Sequence, residues 1–152
     1  MARASTTKSV KRSRAGAVGN ARGVPLANCE ECWPLVGERR GRLWHARKLR
    51  RTVGGPAHVE FDGLAVLDRE ESRRDIVGFL HTHPDCRAKP SKRDIATMQA
   101  WVSAFGKPLL CLIQGTDGLA GYLFASDDSP PERLVQVEVV PRGNFVAVGS
   151  DL

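Results

Sequence analysis

The chain has 152 residues with 41% hydrophobic content, which predicts one domain able to bury a core without disulfides or bound metals as staples. Its apolar runs, such as residues 108–113, are far shorter than the roughly 20 residues that span a bilayer, and the N-terminus lacks the apolar segment of a signal peptide. These features exclude a membrane-spanning protein, and we expect a cytoplasmic one.

The net charge of +6 comes from the N-terminal residues. All 17 acidic residues follow Gly23, whereas six of the 23 basic residues precede it, so the charges after Gly23 balance. Residues 1–23 contain too little apolar surface to offset the entropy of ordering, and we expect a disordered basic tail. Such a tail is either a solvated extension or an arm that contacts nucleic acid or an acidic partner protein.

The first ordered segment is predicted to be a strand. Residues 29–37 read CEECWPLVG, and Pro34 should confine this strand to an edge or make it irregular, because proline donates no ladder hydrogen bond. The elements predicted next are a turn over 37–41, a basic hairpin partner over 42–52, a short strand over 58–61, a helix over 64–73 and a buried strand over 76–80.

Two histidines follow the buried strand, in the segment GFLHTHPDCRAKPSKRDIATM over residues 78–98. His81 and His83 are separated by one residue in an extended segment, so both imidazoles point to the same side. Asp94 falls in the first turn of a helix predicted over residues 91–105, from which its carboxylate could reach the histidines. Two imidazoles and one carboxylate are three of the four ligands of a catalytic zinc, with water as the fourth. We therefore predict one zinc ion per chain. Ser91-x-x-Asp94 also reads as a capping box, which is compatible with metal binding.

The last third of the chain is predicted to complete a mixed sheet. Strands are expected over residues 109–114 and 119–124, joined by the hairpin turn Gly-Thr-Asp-Gly, and over residues 134–140, with a C-terminal tail over residues 141–152. The fold class is therefore α/β, with a mixed, strongly curved sheet flanked by helices.

The spacing of the cysteines does not predict a second metal site. Cys29 and Cys32 form a CxxC pair, but Cys86 and Cys111 lie far from it and from each other. A zinc held by all four thiolates is the less favoured reading, and we expect reduced, partly buried thiols.

His-Thr-His-Pro, followed by six residues, Ser91, two residues and Asp94, closely resembles the JAMM metalloprotease motif of JAB/MPN domains. The resemblance covers about residues 24–140 and implies a single JAB/MPN-like domain. In this family a glutamate opens a strand of the form ExxGxLxG. Aligning Gly37 with its last glycine makes Glu30 the general-base candidate, with Glu31 as its rival one residue away; adjacent strand residues face opposite sides, so only one can point at the metal. Ser91 would donate a hydrogen bond to the developing oxyanion.

The resemblance implies a prokaryotic zinc isopeptidase or peptidase that hydrolyses the amide bond after the C-terminus of a ubiquitin-like protein. Its substrates would be the conjugates or the precursor of that ubiquitin-like protein. Its partners would be E1/E2-like enzymes of the same conjugation system, which could be an antiphage system. One alternative is a hydrolase that releases an amino acid from a sulfur-carrier protein. A third hypothesis is a DNA-associated protein of the RadC type, which carries a similar His-x-His-Pro and downstream Ser and Asp, with the basic tail as its DNA arm.

Overall fold

The computed structural model describes residues 30–49, 52–53, 62–134 and 136–149, and all statements of structure concern these residues. In chain order the elements are β1 (Glu31–Arg40), β2 (Leu43–Lys48), β3 (Thr52–Val53), α1 (Gly63–Arg73), β4 (Ile76–Thr82), α2 (Lys92–Phe105), β5 (Leu109–Gly115), β6 (Gly118–Phe124), β7 (Glu132–Arg133), β8 (Gln136–Val140), a 3₁₀ turn (Pro141–Gly143) and β9 (Asn144–Val148). Neither helix in this part of the chain has the length and apolar content that a membrane span needs.

The strands form one sheet in the order β7-β6-β5-β4-β1-β2-β9-β8, and β3 also pairs with β1. β4 and β5 are parallel and are connected through α2, whereas the other pairs are antiparallel. The predicted α/β class with a mixed sheet and helices is therefore confirmed.

The sheet curls strongly, so that the segment around β8 folds back over β6. Gly121 on β6 allows this close approach, because a Cβ atom at that position would lie 2.5 Å from Val137 Cγ2 and 2.7 Å from Leu134 Cδ1. The backbone N–H of Leu134 donates to the carbonyl of Gly121 at 2.9 Å. The predicted curvature is thus produced by a contact that only glycine permits at position 121.

Apolar side chains pack on both faces of the sheet. One cluster lies between the sheet and α2 and includes Phe79, Met98 and Val102. The other lies on the opposite face and includes Leu35, Leu80, Leu112 and Phe145. β4 and β5 are buried along their whole length, which explains why they read as continuous apolar runs rather than as alternating ones. The strand that carries His81 is therefore buried in the core along its whole length.

Both helices begin at a residue whose side chain caps them. Asp62 caps α1 by accepting a hydrogen bond from the Ala65 N–H at 3.1 Å, and Ser91 caps α2. α2 ends at Gly106, whose φ of 65° is in the left-handed region that glycine adopts without strain. The helices predicted over residues 64–73 and 91–105 are confirmed.

Of the two outcomes that Pro34 predicts, an edge strand or an irregular one, the structure shows the irregular one. β1 lies between β4 and β2, and Pro34 is paired with Phe79 of β4. Its carbonyl accepts a hydrogen bond from the Leu49 N–H at 2.9 Å, on the side of β1 where the chain leaves β2. The N–H and C=O of one residue in an antiparallel strand point to the same side, so this is also the side on which proline lacks a donor. A central strand tolerates this proline because the neighbouring pairing is interrupted there. The strand is irregular, as expected, with a register shift between Leu35 and Val36.

Two further sequence expectations differ from the structure. Residues 37–40 belong to β1, and a two-residue turn at Gly41 and Arg42 replaces the longer predicted turn, because Gly41 adopts a φ of 60°. Within the expected C-terminal tail, residues 144–148 instead form β9, which pairs with β2 and with β8. The alternation of buried Phe145 and Ala147 with half-buried neighbours is the strand signal in this segment. The predicted disordered tail over residues 1–23 and the predicted strand over 58–61 lie outside the described residues.

One ion pair at the start of β4 should make stability depend on pH. Arg69 donates from Nε to Asp75 Oδ1 at 2.8 Å and from Nη2 to Oδ2 at 2.6 Å. These hydrogen bonds hold the pKa of Asp75 below its ordinary value near 3.8. Because the folded-state pKa is lowered, the stabilisation is complete above the ordinary pKa and is lost as pH falls through the lowered one. In urea titrations we expect wild type to be more stable than Asp75→Asn at neutral pH, with the difference vanishing in strong acid. A difference that persists unchanged in strong acid would contradict this assignment.

Candidate metal centre

Three side chains converge where β4 ends and α2 begins. His81 Nε2 lies 3.1 Å from His83 Nε2, His83 Nε2 lies 3.1 Å from Asp94 Oδ2, and His81 Nε2 lies 3.3 Å from Asp94 Oδ1. Both histidines are buried and Asp94 is half-buried. A metal ion could be held by a group of at least three histidine, cysteine or acidic side chains that lie close together. Within the described residues, His81, His83 and Asp94 form such a group.

The spacing of these atoms fits a tetrahedral metal. Zinc bonds of about 2.0–2.1 Å to nitrogen and oxygen place the ligand atoms of a tetrahedron about 3.3–3.4 Å apart. The distances from His83 Nε2 to His81 Nε2 and to Asp94 Oδ2, 3.1 Å each, are close to that value, and His81 Nε2 lies 3.3 Å from the other carboxylate oxygen, Oδ1. Two imidazoles and a carboxylate are also a donor set that zinc accepts, with one position left for water or substrate. The residues therefore fit the predicted zinc ion.

The strand and the loop after it fix the two imidazoles. His81 lies within β4, opposite Cys32 of β1 and beside Ile113 of β5. His83 follows the strand, and its N–H donates to the Gln114 carbonyl at 2.8 Å, which continues the parallel pairing by one more residue. The predicted alternation is thus maintained through His83, and both rings lie on the α2 side of the sheet.

The N-terminus of α2 fixes the carboxylate. The Ser91 hydroxyl accepts a hydrogen bond from the Asp94 N–H at 3.1 Å, and the Ser91 N–H donates to Asp94 Oδ2 at 2.7 Å. This reciprocal pair is the predicted capping box. Capping orients Asp94 toward the histidines, so the same residues serve the helix and the site. Ser91 itself is exposed at the mouth of the site.

The electrostatics of the site favour an ionised carboxylate. Burial acts to raise the pKa of Asp94, but the hydrogen bonds with His81 and His83 outweigh it and hold the pKa far below the usual range. For His83, burial acts to lower the pKa, and the hydrogen bonds with Asp94 and with the Arg87 carbonyl raise it above its ordinary value. Asp94 is therefore negatively charged at neutral pH, the form in which it can bind a cation.

The pairing of β1 with β4 separates Glu30 from Glu31. Cys32 is opposite His81, and continuing the same register by two residues brings Glu30 opposite His83, where cross-strand partners share a face. Glu31 falls on the other face because successive residues alternate. Among the smaller influences on the His83 pKa, after burial and the hydrogen bonds, is the charge of Glu30. The extended register therefore puts Glu30 on the face of the sheet that carries the histidines.

Thr82, which the sequence analysis did not single out, ties β1 to β4 at this point. It is fully buried, and its Oγ1 accepts a hydrogen bond from the Glu31 N–H at 2.9 Å. The bond follows directly after the last backbone pair, Cys32 with His81, and so holds the chain that carries Glu30. The sequence feature that could have indicated this contact is a β-branched residue with a hydroxyl group between the two histidines.

Thr82→Val should test this tether. Valine has nearly the same shape but no acceptor, so we expect a loss of about 1 kcal/mol in the free energy of unfolding. We also expect a lower turnover number, because the chain that carries Glu30 loses an anchor. Chemical denaturation and steady-state kinetics measure the two effects. Thr82→Ser, which keeps the acceptor, is the control and should restore turnover; equal turnover in Thr82→Val and wild type would show that the tether is dispensable.

The described cysteines do not enter the ligand group. Cys32 and Cys111 are buried on the same side of the sheet as the site, and burial raises the pKa of each thiol well above its ordinary value. Cys86 is exposed, and all three are free. Cys32 and Cys111 are therefore protonated packing residues, while Cys29 lies outside the described residues.

The fold and the site together define an α/β domain with a His-His-Asp centre suited to a metal ion. The family model described as prokaryotic homologs of the JAB domain matches residues 21–133, and the chain belongs to this family. The JAB/MPN relationship inferred from the histidine motif is therefore confirmed.

The chain is also similar to a curated protein, the desampylase of Pyrococcus furiosus. The two are 27% identical over 99 residues, a match that covers 62% of this chain and 66% of the relative. The chain thus matches slightly less than two thirds of the relative's length.

Proposed function

We propose that this protein is a zinc-dependent isopeptidase or peptidase that hydrolyses the amide bond after the C-terminus of a ubiquitin-like protein. The observation that carries the proposal is the convergence of His81, His83 and Asp94, whose imidazole nitrogens and carboxylate oxygens lie 3.1–3.3 Å from one another, with Glu30 on the same face of the sheet. Membership of the prokaryotic JAB family and similarity to a desampylase support a hydrolase.

His81, His83 and Asp94 would hold the ion through Nε2, Nε2 and a carboxylate oxygen. Zinc bound there supplies a water of lowered pKa and polarises the substrate carbonyl. The ionised state of Asp94 suits this role, since its pKa is held low by the two histidines despite its burial.

Glu30 is the proposed general base. Its carboxylate would accept a proton from the attacking water and pass that proton to the departing amine, so that one group serves both halves of amide hydrolysis. Glu31, on the opposite face, would take no part.

Ser91 is the proposed oxyanion donor. Its oxygen already accepts the Asp94 N–H, which leaves the hydroxyl proton available for a substrate oxygen. Donation to the oxyanion that develops during attack would lower the barrier by about 3 kcal/mol, as for comparable donors in other enzymes.

A ubiquitin-like protein is the proposed substrate because the extended tail of such a protein could lie in a groove by adding a strand. The relative's name, desampylase, supports deconjugation as the reaction class. We further propose a cytoplasmic location and E1/E2-like partners of the same conjugation system, with an antiphage role as one setting.

The experiment is to incubate the zinc-loaded protein with ubiquitin-like proteins that carry a C-terminal aminomethylcoumarin amide, and with their lysine conjugates. Release of the fluorophore and of free lysine-bearing target supports the proposal. Release of a single amino acid, with intact conjugates, would favour the sulfur-carrier hydrolase instead. Absence of cleavage by zinc-loaded protein, together with duplex DNA binding that is lost on deletion of residues 1–23, would favour the DNA-associated alternative.

A further inference from the structure

The loop between His83 and α2 is held in place by the β5–β6 hairpin. The Thr116 N–H donates to the Cys86 carbonyl at 2.8 Å, and the Tyr122 hydroxyl donates to the Ala88 carbonyl at 2.8 Å. Gly115 allows the contact, since a Cβ atom there would lie 2.2 Å from the Ala88 nitrogen. The loop and the hairpin therefore form one packed unit.

One peptide group within this unit is bonded at both ends. The Ala88 N–H donates to Asp117 Oδ1 at 2.7 Å, and the Arg87 carbonyl of the same peptide lies 3.2 Å from His83 Nδ1. The carbonyl also accepts the Lys89 N–H at 2.8 Å. Asp117 is an exposed residue in the hairpin turn and lies on a different element from His83, yet a single peptide connects the two side chains.

We propose that Asp117 is a positioning residue for the metal ligand His83, acting through the Arg87–Ala88 peptide. This inference rests on the proposed function, because it assigns a partner to a residue of the proposed zinc site. By fixing the Ala88 N–H, Asp117 directs the Arg87 carbonyl at the imidazole. The carbonyl then accepts the Nδ1–H of His83, which fixes the orientation of the ring and leaves Nε2 as the ligand atom.

The bond should also strengthen the histidine as a ligand. Hydrogen bonds in a chain polarise one another, and a carboxylate at one end makes the carbonyl at the other a better acceptor. Partners of this outer kind typically change metal affinity by about 10- to 100-fold when they are removed. An alternative is that Asp117 only shapes the hairpin turn, where aspartate is common for local reasons. The two roles predict different effects at His83.

The test compares wild type with Asp117→Ala, Asp117→Asn and Tyr122→Phe in the full chain. The first readout is the solvent exchange of the His83 Nδ1–H, followed by ¹⁵N-edited NMR in zinc-free protein under mildly acidic conditions. The second is zinc affinity, measured by competition with a chromophoric chelator. Tyr122→Phe is the matched control, because it removes a hydrogen bond to the same loop without touching the Arg87–Ala88 peptide.

We expect a protected Nδ1–H in wild type, its loss in Asp117→Ala, and about 10- to 100-fold weaker zinc binding by that variant. Asp117→Asn, which keeps the acceptor oxygen, should retain most of both properties, and Tyr122→Phe should resemble wild type. An unprotected Nδ1–H in wild type, or equal effects in Asp117→Ala and Tyr122→Phe, would overturn the inference. Because the exchange measurement needs no zinc, wild type that binds no zinc would contradict the proposed function alone.

Discussion

Glu30→Gln is expected to lower the turnover number for amide hydrolysis by about 10²- to 10⁴-fold, the usual contribution of a general base, while zinc content stays near that of wild type. Glutamine has the shape of glutamate but cannot accept the proton of the attacking water. The proposed ligand atoms belong to His81, His83 and Asp94, so the metal should remain. Hydrolysis of a ubiquitin-like C-terminal aminomethylcoumarin amide and elemental analysis of the same sample measure the two quantities.

The control is Glu31→Gln, which makes the same chemical change one residue away on the opposite face of β1. Its turnover should stay close to wild type, because Glu31 falls on the opposite face and the substitution leaves the bond from its backbone N–H to Thr82 unchanged. If Glu31→Gln loses activity and Glu30→Gln does not, the base is Glu31 and the register continued beyond Cys32 is wrong. If both variants keep full activity, neither glutamate is the base.

The candidate site could be predicted from sequence because each of its parts obeys a local rule. Alternation along a strand brings His81 and His83 to one face, and this required no knowledge of the neighbouring strands. The capping box connects Ser91 to Asp94 within four residues, and it orients the carboxylate through contacts made inside the first turn of α2. A family motif with fixed spacing then unites these short segments.

The features that were missed depend on contacts between distant segments. Pro34 predicts an edge or an irregular strand and does not decide between them, because the gap in pairing beside it is created by the path of the chain after β2. The sequence predicts a tail where β9 lies, because the strands that β9 pairs with, β2 and β8, cannot be identified from its own five residues. The contact of Asp117 with the Ala88 N–H spans 29 residues and has no local signature. Sequence patterns report periodicity within an element, and they carry little information on which elements become neighbours.

Asp94→Ala is expected to abolish zinc binding under conditions in which wild type holds about one equivalent. Alanine removes one of three ligands and leaves two imidazoles, which lose the negative charge of Asp94 beside them. Removal of a residue that hydrogen-bonds to a metal ligand weakens metal binding by about 10- to 100-fold. The loss of zinc affinity in Asp94→Ala should be larger, because a group bound directly to the metal is removed. The measurement is zinc per chain in tag-free protein prepared without chelators, followed by competition with a chromophoric chelator.

Asp94 also caps α2, so two companion variants separate metal loss from helix damage. Asp94→Asn keeps an oxygen that can accept the Ser91 N–H but removes the charge, and it should fold like wild type with little zinc. Ser91→Ala removes the other half of the box, costs about 0.5–2 kcal/mol of stability, and should keep its zinc. If Ser91→Ala loses as much zinc as Asp94→Asn, the carboxylate acts mainly through the helix cap, whereas zinc retained by Asp94→Ala would remove the carboxylate from the ligand set.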